Sequence, residues 1–128
     1  AAGIDGTIST AAGVARALGE PVRVLVGDLA FLHDAGGLLR GQMETSPALD
    51  IVVLNDGGGG IFRQLEHAEA AEPAVFERFF AAPQSADLSA LASAFGATYA
   101  RAQTPADLAK LLQHPTPLPR ILEVPLVT

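Results

Sequence analysis

Cysteine is absent from this chain of 128 residues, and lysine occurs once, at Lys110. Without thiols there is no disulfide framework and no thiolate metal site, and a cytoplasmic location is allowed. The net charge is −6 and the seven arginines are scattered, so the clustered cations that grip the phosphate backbone of a nucleic acid are missing. No apolar run approaches the length of a bilayer span, and no basic segment precedes an apolar one. The expectation is a cytoplasmic protein that binds neither nucleic acid nor membrane. Several site signatures are missing as well: a Gly-x-Ser-x-Gly elbow, a Gly-Lys-Ser/Thr phosphate loop, and a Gly-x-Gly-x-x-Gly fingerprint in the first βα turn. His33, His67 and His114 have no metal-ligand spacing and read as surface or loop residues, and Glu66, Glu69, Glu72 and Glu77 read as a solvated face.

What is present is an apolar fraction of about half, enough for one core in a single domain over residues 1–128. Val22–Val26 and Asp50–Leu54 are β-branched runs that read as buried parallel strands, with two more strands at Thr98–Arg101 and Arg120–Val124. Helical patterns cover Thr7–Leu18, Asp34 to about Arg40, Ile61 to about Ala71, Leu88–Phe95 and Pro105–Gln113. The last has Thr104 as N-cap, Pro105 at the first helical position and Asp107 three residues after the cap. Glu72–Asp87, with Pro73 and Pro83, reads as a long excursion. Strands alternating with helices predict an α/β fold, a doubly wound and mainly parallel sheet with helices on both faces. The opening Ala1-Ala2-Gly3-Ile4-Asp5-Gly6 has no initiator Met or polar tail, which leads us to expect a piece of a longer multidomain enzyme.

In open α/β sheets, ligands bind outside the carboxyl ends of the strands. Asp28 and Asn55 stand at that end of the first two strands. A carboxylate, an amide oxygen and a backbone carbonyl are hard donors that suit Mg²⁺, which shares its remaining positions with water and substrate phosphates. The glycines at 57–60 follow Asn55 directly and let main-chain N–H groups approach phosphate oxygens.

Gly27-Asp28-Leu29 and Asn55-Asp56-Gly57, with 26 residues between Asp28 and Asn55, resemble the metal-cofactor signature of thiamine-diphosphate enzymes. The signature usually has Gly where Leu29 stands and often a second Asn where Leu54 stands. With Gly3 to Ala11 and the stretch through Gly60-Ile61-Phe62, the chain is similar to the C-terminal cofactor-binding domain of the 2-succinyl-5-enolpyruvyl-6-hydroxy-3-cyclohexene-1-carboxylate synthase family, of menaquinone biosynthesis. This resemblance implies thiamine diphosphate and Mg²⁺ as cofactors, with Asp28, Asn55 and the main chain of Gly57 as metal ligands. It implies that Ile4 wedges under the cofactor, and that Gly27, Leu29, Ala30, Gly58 and Ile61 also line its site. Ile61, Phe62 and Leu65 become an apolar wall on the substrate side. The implied reaction decarboxylates 2-oxoglutarate and adds the succinyl carbanion equivalent to isochorismate.

The resemblance also implies that no catalytic residue belongs to this chain. The glutamate that activates the cofactor lies on a pyrimidine-binding domain, usually of a partner subunit, so a homo-oligomer is expected and the isolated chain is expected to be inactive. Two other readings stand beside it. One is another thiamine enzyme, of the acetohydroxyacid synthase or 2-oxoacid decarboxylase type, against which Leu29 and the Gly3-Ile4-Asp5-Gly6 opening argue. The other is a non-catalytic flavodoxin-like signalling module with Asp28 as phosphoacceptor, for which Lys110 is badly placed.

Overall fold

The computed structural model describes residues 3–114 and 116–126. The Ala1-Ala2 opening and the side chain of His67 lie outside the described residues. Four parallel strands, β1 (Val22–Gly27), β2 (Leu49–Asn55), β3 (Thr98–Arg101) and β4 (Arg120–Pro125), form one sheet in the order β1-β2-β4-β3. All three pairings are parallel. Helices α1 (Thr7–Leu18), α2 (Asp28–His33) and α5 (Leu88–Ala94) pack on one face, and α6 (Pro105–Leu112) packs on the other.

Strand alternation sorts the side chains between these layers. Leu49, Ile51 and Val53 join Ile8, Phe31, Leu88 and Ile121 in the larger cluster, while Val52 and Leu122 meet Leu108 and Leu111 beneath α6. The central strand β2 is buried through its first five residues. Strand β1 is an edge, and the expectation of burial holds only for Val26; Leu25, level with Val52 on the α6 face, is 65% exposed.

Helix ends follow local chemistry. Gly19 closes α1 in the left-handed conformation, φ 68°, and its N–H returns to the carbonyl of Ala15. The start of α1 has no side-chain cap of its own. Asp34 supplies one from a distance, accepting from the Ser9 N–H at 2.7 Å and the Ser9 hydroxyl at 3.0 Å. Gly37 permits that approach, because a Cβ there would press on Ser9. The capping box of α6 forms as expected, Thr104 and Asp107 each satisfying the other's backbone N–H.

Three expected elements differ. The segment Asp34 to Arg40 holds only a 3₁₀ turn, Ala35–Leu38, because the helix starts earlier, at Asp28, as soon as β1 ends. The expected helix from Ile61 breaks into a 3₁₀ segment, Gly60–Gln64, and the single turn α3 (His67–Ala70), with Leu65 extended between them. Glu72–Asp87 is more ordered than an excursion. Glu72 caps α4 (Pro73–Phe76), which runs into a π-helical turn, Glu77–Ala81, ended by Ala82 at φ 40°. Arg63 ties the two segments together through Glu77, at 2.7 and 3.2 Å. None of the helices among the described residues is long and apolar enough to cross a membrane.

Candidate functional site

Register brings the first two candidates together. Gly27 pairs with Leu54, so Asp28 and Asn55 lie one step further along, level with each other, at the carboxyl edge of the sheet. Asp28 is 1% exposed and opens α2. One of its oxygens, Oδ1, accepts from the Leu29 N–H at 2.8 Å. The other, Oδ2, accepts from Nε2 of Gln84 at 2.6 Å, and the same nitrogen donates to Asn55 Oδ1 at 3.2 Å.

Gln84 therefore marks a point on which a carboxylate oxygen and an amide oxygen converge. Its backbone N–H also donates to the carbonyl of Gly57 at 2.9 Å, so this one residue touches all three expected metal-binding residues. Its side-chain oxygen Oε1 accepts from the Ala86 N–H at 2.7 Å, which directs the NH₂ group toward Asp28 and Asn55. No sequence signal singled out Gln84, which lies 56 positions from Asp28.

Asn55 is fixed at both ends of its amide. The Gly57 N–H donates to Oδ1 at 3.1 Å, and Nδ2 donates to Glu123 Oε1 at 2.8 Å. The other oxygen of Glu123 accepts from the Tyr99 hydroxyl. Burial, and then the hydrogen bond and charge of Glu123, push the Tyr99 phenol up to about 12, so it remains a donor at neutral pH. Glu123 too escaped the sequence reading, although a lone acid within the apolar run Ile121-Leu122-Glu123-Val124 is the signal that could have found it.

The glycine turn owes its shape to the segment behind it. Gly57 and Gly58 adopt φ 80° and 151°, and the Gly59 N–H bonds to the Ala81 carbonyl at 2.6 Å. A Cβ on Gly58 would run into the Ala81 carbonyl and lie 3.0 Å from that of Ala82. Gly58→Ala is accordingly expected to cost about 1–3 kcal/mol through backbone strain, measured by urea unfolding of the protein without ligand.

Beside these donors opens a cleft of about 430 Å³, lined by Ile4, Gly27, Asp28, Leu29, Ala30, Gly58, Ile61 and Phe62, with Leu54, Asp56, Gly59 and Leu126. Asn55 and Gly57 lie outside the lining and are joined to Asp28 through Gln84. Ile4 and Ile61 are 44% and 67% exposed. Phe62 packs edge-on to Phe80, with ring centroids 6.2 Å apart. Leu65 does not line this cleft: it is 44% exposed and borders a separate groove with Arg63, Gln64, Glu66 and Glu69.

The donor set suits a cation that brings ligands of its own. Among the described residues there is no cluster of three or more His or acidic side chains able to hold a metal unaided. One carboxylate, one amide oxygen and one carbonyl leave positions open for diphosphate oxygens and water.

A parallel α/β domain with hard oxygen donors and a glycine turn at one strand edge defines a diphosphate-binding module. Residues 3–123 match the family described as thiamine pyrophosphate enzyme, C-terminal TPP binding domain, and the chain belongs to that family. It is 50% identical over 127 residues to a 2-succinyl-5-enolpyruvyl-6-hydroxy-3-cyclohexene-1-carboxylate synthase of Renibacterium salmoninarum, covering 96% of this chain and 23% of that one. It is 53% identical over 124 residues to the synthase of the same name from Kineococcus radiotolerans, covering 96% and 22%. The chain thus spans less than a quarter of the length of these relatives. Among solved structures, benzoylformate decarboxylase from Polynucleobacter necessarius superposes with a TM-score of 0.71 at 21% identity, over 94% of this chain and 22% of that one. These matches bear out the expected fold class and the resemblance drawn from Gly3–Ala11, Gly27-Asp28-Leu29 and Asn55–Phe62, and they favour it over the signalling module.

Proposed function

We propose that this chain is the diphosphate-binding domain of a larger magnesium- and thiamine-diphosphate-dependent transferase, one that decarboxylates 2-oxoglutarate and adds the succinyl unit to isochorismate in menaquinone biosynthesis. The observation that carries the reading is the convergence of Asp28 and Asn55 on the Gln84 amide, beside a cleft that is apolar apart from its glycine and aspartate edge. The synthases named above, similar over 96% of the chain, support the choice of substrates.

In this reading Asp28, Asn55 and the Gly57 carbonyl hold Mg²⁺. The backbones of Gly27, Leu29, Ala30 and Gly58 border the diphosphate. Ile4 supports the cofactor from beneath. Ile61 and Phe62 form an apolar wall that excludes water from the reacting centre, while Leu65 borders the neighbouring groove. Bound thiamine diphosphate supplies the electron sink for decarboxylation; this domain supplies position and charge. The activating glutamate comes from the pyrimidine-binding domain of a partner subunit in a cytoplasmic homo-oligomer.

Calorimetric titration of thiamine diphosphate into the protein tests the cofactor role. Heat that depends on Mg²⁺ is the expected result, and cofactor binding indifferent to Mg²⁺ overturns the metal assignment. In the full-length enzyme that contains this domain, carbon dioxide released from 2-oxoglutarate, with isochorismate consumed, separates this activity from that of other thiamine enzymes. Turnover of pyruvate or benzoylformate in its place shifts the assignment to them.

A further inference from the structure

The buried acid Glu123 has no part in the site described so far except through Asn55. It is 8% exposed and sits on β4, paired with Val53, so that alternation places it on the same face of the sheet as Asn55 two residues on. Its two oxygens are divided between Nδ2 of Asn55, at 2.8 Å, and the Tyr99 hydroxyl from β3. No ion pair to it occurs among the described residues. A carboxylate buried in a strand without a cation is costly.

An asparagine amide has two chemically different ends of nearly equal shape, and only its oxygen can ligate a metal. Glu123 can only accept from Asn55, so it holds the NH₂ end and turns Oδ1 toward Asp28. We infer that Glu123, anchored by Tyr99, is the positioning residue that sets the amide of Asn55 for metal binding. The inference rests on the proposed metal role of Asn55. Opposite Glu123, the Gly57 N–H and the Gln84 amide face Oδ1 and favour the same orientation. Partners of this kind, one step removed from the metal, typically change metal affinity by about 10–100-fold when lost.

Two conservative variants separate reach from charge. Glu123→Asp keeps the charge but withdraws the carboxylate by one methylene, so it cannot reach Asn55 and Tyr99 together. Glu123→Gln gives up the charge and keeps the reach: its carbonyl oxygen accepts from Asn55 while its NH₂ donates to the Tyr99 oxygen. Mn²⁺ binding, followed by electron paramagnetic resonance with thiamine diphosphate at saturation, is expected to weaken about tenfold or more in Glu123→Asp and to stay within about threefold of the unaltered protein in Glu123→Gln. Thermal unfolding of both variants accompanies the titration, since a merely structural residue would move affinity only along with stability. Glu123→Gln binding as weakly as Glu123→Asp, or Glu123→Asp binding normally, overturns the inference. No Mn²⁺ uptake by the unaltered protein overturns the metal reading itself, and the positioning role falls with it.

Discussion

Replacing Asp28 with alanine is expected to lower magnesium-dependent affinity for thiamine diphosphate by about 100-fold or more, beyond the ~10–100-fold typical of residues one step removed from a metal. Asp28 is the only charged side chain in the donor set, and it is almost completely buried. Its partners are neutral, the Leu29 N–H and the Gln84 amide, and no ion pair to it occurs among the described residues. A carboxylate so placed is poorly compensated until a cation arrives. Removing it takes away the strongest attraction for Mg²⁺ and also relieves a buried charge, which offsets the two hydrogen bonds lost. Without ligand, the variant should therefore unfold within about 1 kcal/mol of the unaltered protein, the net value of one ordinary hydrogen bond. The contrast appears on adding ligand. At 100 times its dissociation constant, a ligand stabilises the unaltered protein by about 2.7 kcal/mol, and nearly all of that gain should be missing from Asp28→Ala. Normal cofactor affinity in the variant would remove Asp28 from the site.

Asp50→Ala is expected to do the reverse, destabilising the fold by about 3–5 kcal/mol, the usual cost of breaking a buried ion pair, while leaving cofactor affinity per folded molecule unchanged. Asp50 and Arg120 sit on neighbouring strands, their side chains 6% and 5% exposed, and Arg120 grips both carboxylate oxygens at 2.7 and 2.9 Å. Arg23 adds a third bond at 2.7 Å. The arginines also reach past the acid to the end of α6, Arg120 to the carbonyls of Leu111 and His114 and Arg23 to that of Leu112. Asp50 thus links the sheet to the helix that covers its second face. The group lies at the start of β2 and β4, the opposite end of the strands from Asn55.

The same network predicts a pH dependence. Burial works against the charged form of Asp50, but the hydrogen bonds and charges of Arg120 and then Arg23 outweigh it and hold the carboxyl below its usual range. A lowered native pKa means that the stabilisation is fully present above the unfolded value, about 3.9, and is lost as the pH falls through the native one. Urea unfolding at a series of pH values should show the gap between Asp50→Ala and the unaltered protein constant near neutrality and closing in strong acid. A gap of the same size at both ends of the range contradicts the assignment.

The strands and the helices α1, α5 and α6 were legible because each carries a local signature: β-branched runs, apolar spacing along a helix, and the Thr104–Asp107 cap. The elements that differed lie where local signals conflict with neighbours in space. From Ile61 to Ala71 the residues suit a helix, yet the Gly59 N–H is claimed by Ala81 and the Arg63 side chain by Glu77, and the segment breaks at Leu65. Glu72 to Asp87 looks like a loop from its prolines, yet it supplies the π turn that shapes the glycine turn and the residue, Gln84, that joins the donors.

What the sequence by itself determined is the α/β class and the positions of Asp28 and Asn55, since a residue following a parallel strand lands at the carboxyl edge whatever the rest of the chain does. Only the tertiary structure decided that the two lie level, through the pairing of Gly27 with Leu54. It also decided that Gln84 and Glu123 hold them, contacts made across 56 and 68 positions of chain. Periodicity and capping are properties of neighbours along the backbone. The orientation of a buried amide depends on which strand packs beside it, and strand order is set by the core as a whole.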